Sequence, residues 1–600
     1  MSMTPKLAAL IAEAKRKHAE KQAVETSQQS SILKEVSAQN ILHLKKQDST
    51  VQSVLTSAAN HFAATIGVDL NEKQTEAVEL AMRGKSFNLI GAAGTGKTTT
   101  TREIIGQLSR LPHITPISKS TKYLSQGAPG IVIVSFTNKA VNNIKKFLSP
   151  ELQKHCITYH KLLEYAPVQY LDEPGNPFGK KTMRFEPSFD IENPLPHISC
   201  VIVEESSMVS AMRGDIHDNL MRALPNPDAT QFIFLGDLNQ LPPIFGPSIL
   251  GFKLLELPTV ELTHVYRQAL ESPIITLAHK IREGRGILHL SDETTTDDRG
   301  EHGKVTIRPW KKKIESGPAC KVLLHNFLIP LVTKDGYDFT ENVILCPFNK
   351  SFGTIELNKA IADALGKKRG AEVFEVIARG NRSYWAVGDR VLVDRREAII
   401  LRIEPTPGYT GPIPEPASKT LDRWGRDSTH QEDHNSVDRQ IKLAAAMEVL
   451  ESMNVGDGEE QKNAASHTIT VEFVDSGTVE SLSSAGAINQ MLFSYVLTVH
   501  KSQGSEWKRV FILLHYSHNT MLSRELLYTA VTRARHELFI ICEPDRKEVY
   551  NSITRAAKSP EIQGVTLAEK ALYFQNKKKS MRSLEGRQAK VEEGNIGEEM

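Results

Sequence analysis

Four short apolar runs, Phe87–Ile90, Ile131–Val134, Cys200–Val203 and Phe232–Leu235, recur without the polar alternation of a half-solvated strand. Apolar residues at successive positions point to both sides of a strand, so such runs predict a parallel sheet covered on both faces by helices. A second series, Val343–Leu345, Val510–Leu514 and Leu538–Ile541, predicts a second sheet of the same kind. The fold class read from this pattern is α/β with two parallel-sheet units.

Two stretches break the pattern. Residues 164–195 carry Pro174-Gly175-Asn176-Pro177-Phe178 and then Met183-Arg184-Phe185-Glu186, which predicts a small hairpin inserted in the first sheet unit. Residues 385–490 hold a Pro-rich run from Glu404 to Pro416, a helix over Ile441–Leu450, and an alternating hairpin at Thr468–Val474 turned by Asp475-Ser476-Gly477. That stretch predicts a small β-barrel with a partly disordered insertion. Residues 1–60 are rich in Ala, Lys, Glu, Gln and Ser, with Leu7, Leu10, Ile11 and Ala14 on one face of a short helix. They read as a solvated, partly disordered extension or as a partner-binding arm, and residues 561–600 read as a charged tail.

Composition narrows the class. Charged residues make up 24% and apolar ones 40% of 600 residues, as in ordinary globular proteins, and a net charge of +2 requires any nucleic-acid partner to be served by a local groove. The five cysteines are scattered without metal-ligand spacing, and Cys200 and Cys346 sit in apolar runs as buried thiols. No apolar span approaches membrane length, so the sequence leads us to expect no membrane contact and a cytoplasmic protein, bacterial or in a phage-infected host.

The chemistry begins at Gly91-Ala92-Ala93-Gly94-Thr95-Gly96-Lys97-Thr98, directly after the first apolar run. Glycines there let backbone N–H groups converge on phosphates, Lys97 supplies a cation for the β/γ-phosphates, and Thr98 offers a hydroxyl to Mg²⁺. Val201-Ile202-Val203-Glu204-Glu205 is a strand ending in two carboxylates; beside a phosphate loop, one can hold the Mg²⁺ shell while the other orients or deprotonates water. We assign Glu204 to the metal and Glu205 to the water. Gly236-Asp237-Leu238-Asn239-Gln240 follows another strand, where Gln240 can sense the γ-phosphate and Asp237 and Asn239 suit a capped turn. Arg267 lies beyond a further strand, and Arg533 lies in Tyr528-Thr529-Ala530-Val531-Thr532-Arg533-Ala534-Arg535. Arginines reaching ATP from a second domain act as arginine fingers. Val499-His500-Lys501-Ser502-Gln503-Gly504-Ser505-Glu506 suits strand phosphates and sugars, with His500 either a structural hydrogen-bonder or a link between DNA and ATP.

In this order the motifs resemble those of superfamily 1 helicases, within them the 5′-to-3′ superfamily 1B group of RecD and the phage helicase Dda, from about Leu70 to Cys542. Asn71-Glu72-Lys73-Gln74 is similar to the adenine-reading Q motif and Gly91–Thr98 to motif I. Ser135–Ala140 matches motif Ia, Thr158-Tyr159-His160 motif Ib, Glu204-Glu205 motif II, and Gly236–Pro243 motif III. Tyr266-Arg267-Gln268 matches motif IV, Thr498–Glu506 motif V and Tyr528–Arg535 motif VI. The resemblance implies two RecA-like domains, 1A over 61–264 and 2A over 265–384 and 491–560. It also implies a hairpin insertion 1B at 164–195 carrying the pin, and an SH3-like β-barrel 2B at 385–490. Nucleotide contacts then fall to Gln74, Gly91, Ala92, Ala93, Gly94, Thr95, Gly96, Lys97, Thr98, Thr99 and Glu506, with Mg²⁺ on Thr98 and Glu204. Thr137, Asn138, Thr158, His160, Thr498 and His500 would touch single-stranded DNA, and Phe185 is the expected pin tip unless it packs under its own loop, with Phe178 second. The family usually has Asp-Glu in motif II, so Glu204 lengthens the metal-holding arm.

The function this implies is an ATP-dependent 5′-to-3′ DNA helicase using ATP and Mg²⁺ in replication, recombination or repair. Its partners would be single-stranded and forked DNA, with a single-strand-binding or replisome protein as a further one. A translocase that remodels protein–nucleic-acid complexes or acts on RNA is the alternative. A decayed, non-catalytic binding module conflicts with the intact Lys97, Thr98, Gln240, Arg267 and Arg533.

Overall fold

The computed structural model describes residues 70–581 except 147, 172–180, 266–271, 285–294, 297–302, 310–322, 350–351, 394–395, 415–463, 475, 516–517, 519–520, 543–561, 563 and 565. The expected N-terminal extension, the helix at Ile441–Leu450, Arg267, Phe178 and Cys320 therefore lie outside the described residues.

The first sheet holds β1 (Phe87–Gly91), β2 (Ile131–Ser135), β3 (Cys156–Thr158), β6 (Cys200–Glu204), β7 (Gln231–Gly236) and β8 (Thr259–Leu262). Its strand order is β3-β2-β6-β7-β1-β8, parallel throughout. Alternate residues of one strand serve opposite cores. Ile90, Val132, Val134, Val201, Val203 and Phe234 pack on one face, while Leu89, Ile131, Ile133, Ile202, Ile233 and Leu235 pack on the other. This is why the strands read as uninterrupted apolar runs. Helices α1 (Glu72–Met82), α2 (Lys97–Leu108), α3 (Asn138–Lys145) and α4 (Ile216–Ala223) contribute to these cores.

Between β3 and β6 stands a two-stranded antiparallel ribbon, β4 (Ala166–Leu171) with β5 (Lys181–Glu186). Phe185 pairs with Pro167, next to the closing pair Ala166–Glu186. It therefore sits at the foot of the ribbon, four pairs away from Leu171–Lys181 at the other end. The expectation of Phe185 as the pin tip is corrected accordingly.

The second sheet is built from β9 (Thr295–Thr296), β10 (Lys304–Pro309), β11 (Asn342–Cys346), β19 (Val496–Thr498), β20 (Trp507–Leu514) and β21 (Ala534–Cys542). Its order is β19-β11-β20-β21-β10-β9, parallel except for β9. Val343, Leu345, Val510 and Ile512 face a core shared with α5 (Pro273–Arg282) and α7 (Arg524–Val531). Ile344, Cys346, Phe511 and Leu513 face the opposite core with α6 (Thr354–Arg369).

Interrupting this sheet is an antiparallel module. Five of its strands, β14 (Arg390–Val393), β15 (Arg396–Pro405), β16 (Ala464–Phe473), β17 (Val479–Ser484) and β18 (Leu492–Phe493), form a sheet in the order β17-β16-β15-β14-β18. The ribbon β12 (Val373–Ala378) and β13 (Asn381–Ala386) packs with that sheet around Val376, Trp385, Val391, Ile400, Val471 and Phe473. The shared core starts the module at Val373, ahead of the expected boundary at 385.

The C-terminal part of the chain also departs from expectation. Residues 567–581 form a helix, α8, that lies against the first sheet unit. Phe574 is 1% exposed, and a Cβ on Gly251 would lie 2.1 Å from its Cζ, so the ring needs a glycine beneath it. Lys578 Nζ reaches Glu256 Oε1 at 2.6 Å. Lys577 and Lys579 are exposed, while Lys570, Ala571 and Phe574 are buried, so the helix is amphipathic and not a solvated tail. No helix among the described residues is long and apolar enough to cross a membrane.

Candidate nucleotide and nucleic-acid site

The sheet order puts the C-terminal ends of β6, β7 and β1 side by side, where α/β proteins bind ligands. β1 ends at Gly91, where a Cβ would lie 2.4 Å from Thr95 Oγ1 and 3.1 Å from Lys97 Cγ. Gly94 and Gly96 adopt φ of 80° and 83°, which curls the loop into the start of α2. Thr95 Oγ1 donates to Ala92 O at 2.8 Å, and Lys97 Nζ donates to the carbonyls of Gly91 and Ala92, the latter at 3.3 Å. Thr98 and Thr99 are exposed on the first turn of α2.

Gln74 lies at the start of α1. It is buried, its Oε1 accepts from Asn71 N at 3.0 Å in a capping box, and its Nε2 faces Gly96 O at 3.5 Å. Its amide supports α1 and the loop in this conformation.

Glu204 closes β6, and its Oε2 is buried with no hydrogen-bond partner. Burial, and then the neighbouring Glu205, push its carboxyl up to about 8, with Lys97 opposing. Glu205 sits at φ 51°; burial raises its pKa, Arg533 and Lys97 pull it down, and Asp237 and the exposed Glu506 push it up. Gln240 is buried, and its Oε1 also lacks a partner. Thr98 and Glu204 are hard oxygen donors beside a phosphate cradle, and with an orphaned carboxylate oxygen they fit Mg²⁺. No cluster of three or more metal-type side chains occurs among the described residues, and Mg²⁺ at nucleotides needs only one or two carboxylates.

The second sheet unit faces this edge through α7. Tyr528 is buried; its hydroxyl donates to Asp237 Oδ2 at 2.7 Å and accepts from Ala93 N of the phosphate loop at 2.9 Å. Thr529 Oγ1 accepts from Leu241 N at 2.9 Å, and Gln503 Nε2 donates to Leu241 O at 3.1 Å. Arg533 is held by Thr529 O and Ser505 O, both at 3.0 Å, and by Thr532 Oγ1 at 3.2 Å, close enough to bias Glu205. The sequence assigns Tyr528 no role beyond membership of its motif, because a tyrosine in an apolar helix carries no local sign of a polar partner.

The residues expected at nucleic acid gather further along the same edges, at or just past the C-terminal ends of β2, β3 and β19. Thr137, Thr158 and Thr498 share one local design: each Oγ1 accepts the N–H three residues on, at 3.3, 3.4 and 3.2 Å, in Ala140, Lys161 and Lys501. A capping hydroxyl uses a lone pair and keeps its proton to donate to a phosphate oxygen. Asn138 opens α3, His500 opens a short turn, and His160 lies between Phe136 (5.8 Å) and Tyr165 (5.1 Å). The two sheet units meet here as well. Asn143 Nδ2 donates to Gly504 O at 2.9 Å, Lys139 Nζ lies 4.8 Å from the Trp507 ring, and the same ammonium pairs with Glu397 of the antiparallel module. Nothing in the sequence foreshadows the Lys139–Glu397 pair, since neither residue is unusual alone.

A glycine-rich loop, a carboxylate pair and a buried arginine from the second sheet unit together have the make-up of a P-loop nucleotide site. The family model described as an AAA domain matches residues 74–246, and that of the UvrD-like helicase C-terminal domain matches 493–541. The chain is similar to RecD-type helicases. It is 27% identical over 478 residues to the ATP-dependent RecD2 DNA helicase of Deinococcus radiodurans, covering 78% of this chain and 48% of that one. It is 23% identical over 501 residues to the RecBCD enzyme subunit RecD of Mycobacterium tuberculosis, covering 78% and 69%. The chain thus spans about half the length of the Deinococcus protein. Among solved structures, the Pif1 helicase from Bacteroides in complex with ADP-AlF3 and ssDNA aligns at a TM-score of 0.38 and 17% identity, over 80% of this chain and 94% of that one. A likeness of that size carries no functional weight.

Proposed function

We propose that this chain is an ATP-dependent DNA helicase that moves 5′-to-3′ on single-stranded DNA and opens duplexes in replication, recombination or repair. One observation carries the reading: α7 of the second sheet unit touches the phosphate loop and Asp237 through Tyr528 and presents Arg533 to Glu205, so events at the nucleotide can change how the two units sit.

On this reading Lys97 leaves the carbonyls of Gly91 and Ala92 for the β/γ-phosphates of ATP. Glu205 takes the proton of the attacking water; its upward shift brings it nearer the operating pH, which suits a general base. Thr98 and Glu204 would hold Mg²⁺, which would neutralise phosphate charge and favour the ionised form of Glu204. Arg533 and Arg267 offset charge on the γ-phosphate, and the unpartnered Oε1 of Gln240 is free to orient the water. Hydroxyls of Thr137 and Thr158 on one unit and Thr498 on the other, with Asn138, His160 and His500, grip the strand alternately as the cleft closes and opens. The ribbon β4–β5 acts as the 1B pin and the antiparallel module as an SH3-like 2B domain that braces it. Each base-pair step broken costs about 1.4 kcal/mol of stacking, a small load for one ATP.

The test is ATP turnover with no nucleic acid, with single-stranded DNA and with RNA, and then unwinding of 5′-tailed and 3′-tailed duplexes. DNA-stimulated turnover with unwinding of 5′-tailed substrates alone is expected. Unwinding of 3′-tailed substrates alone would overturn the polarity, and stimulation by RNA alone would overturn the substrate.

A further inference from the structure

Helix α8 comes after the second sheet unit in the chain but lies on the first. Its lead-in is tied to α7, where Arg524 Nη2 donates to Ile562 O at 3.0 Å and Gly564 O at 2.8 Å. Its body is anchored on the first unit by Phe574 over Gly251 and in T-shaped contact with Phe252. Between these anchors Lys570, 3% exposed, donates from Nζ to Leu238 O at 3.0 Å and Asn239 Oδ1 at 2.6 Å.

Burying an ammonium among neutral oxygens is costly and is unnecessary for docking a helix that already has Phe574. The cost is visible: burial pulls Lys570 down to about 8 against the attraction of Asp237 and Glu525, with Arg524 and Arg282 adding to the fall. What the ammonium does is fix a turn. Asn239 donates from its backbone N (2.9 Å) and its Nδ2 (2.7 Å) to Asp237 Oδ1, and Asp237 Oδ2 accepts from Tyr528, which accepts from Ala93. A continuous hydrogen-bonded path thus runs from Lys570 through Asn239, Asp237 and Tyr528 to the phosphate loop.

The geometry points to Lys570 as a positioning residue for ATP hydrolysis: α8 is a strap joining the two sheet units, and its lysine sets the 237–240 turn that carries Gln240. This role rests on the proposed ATPase function. The lysine touches no substrate and acts through the turn, so its loss falls on turnover and not on nucleotide affinity.

The test compares Lys570→Met, Asn239→Ala and the double variant in the full chain, reading single-strand-stimulated kcat, KM for ATP, and binding of a fluorescent ADP analogue. Each single variant should lower kcat about ten-fold, the scale of a modest misplacement of catalytic groups, with ADP affinity within about two-fold of wild type. The double variant should fall no further than the singles, since both cut one path. Independent, multiplying losses would overturn the relay, as would Asn239→Ala turning over at the wild-type rate; that variant leaves α8 and its anchors in place and serves if Lys570→Met does not fold. A wild-type chain that hydrolyses no ATP removes the function itself, whereas wild-type turnover with unaffected variants removes this proposal alone.

Discussion

Replacing Tyr528 by Phe keeps the ring in the core of the second unit and deletes one oxygen. That oxygen donates to a carboxylate at 2.7 Å and accepts a phosphate-loop N–H at 2.9 Å, across the boundary between the two units. Burial, and then Asp237, hold the phenol proton well above the ordinary tyrosine range, so the hydroxyl remains a donor throughout any practical assay pH. A hydrogen bond to a charged group contributes about 1.5–3 kcal/mol, and the stranded Ala93 N–H adds about 1 kcal/mol. Asp237 keeps both bonds from Asn239, so no bare charge is left. The contact between α7 and the phosphate loop should weaken by about 2–4 kcal/mol. If productive closure uses this contact, kcat at saturating single-stranded DNA falls on the order of 30–700-fold, since each 1.4 kcal/mol is about a factor of ten. The assay is steady-state ATP turnover alongside thermal melting to confirm an intact core. Turnover within about two-fold of wild type, with an unchanged melt, would refute a catalytic closure built on this hydroxyl.

Lys97→Ala should abolish ATP hydrolysis, because the phosphate loop loses its cation, while nucleotide-free DNA binding measured by fluorescence anisotropy survives. Glu205→Gln should bind ATP yet stall turnover, whereas Glu204→Asp should alter chiefly the Mg²⁺ concentration needed; an active Glu205→Gln with a dead Glu204→Asp would mean the two roles are exchanged. Gly504→Ala should impair DNA stimulation more than basal turnover. Its φ of 72° disfavours a side chain by about 1 kcal/mol, and the new Cβ would lie 2.9 Å from Thr137 Oγ1 and 3.3 Å from Ala140 Cβ, wedging the two units apart. Equal loss of both activities would count against that account.

The strands announced themselves because two-sided burial leaves a physical trace in sequence. Val132 and Ile133, or Phe511 and Ile512, serve opposite cores, so neither position tolerates a polar residue. Short strands such as β3 and β19 left a weaker trace, and the start of the antiparallel module was hidden because β12 mixes buried with half-buried positions and lacks an unbroken apolar run. Phe185 shows a different limit. An aromatic near a turn signal can lie at the foot or the tip of a hairpin, and only the register, Pro167 against Phe185, decides.

The site was legible where one short segment carries its own chemistry, as Gly91–Thr98 and Glu204-Glu205 do. It was illegible where chemistry arises from meeting. Asp237 looks like a turn residue, Tyr528 like a core aromatic and Lys570 like one more charge in a basic tail, yet the three converge on one turn from three distant parts of the chain. Each has a sufficient local explanation, and that conceals the shared one. A buried ammonium and a buried phenol both aimed at Asp237–Asn239 are costly to keep unless the position of that turn matters. The turn leads directly to Gln240, whose free oxygen lies among the groups proposed to act on ATP. The reach of the second unit and of the strap α8 into this one turn is therefore the feature that can make strand grip and hydrolysis depend on each other.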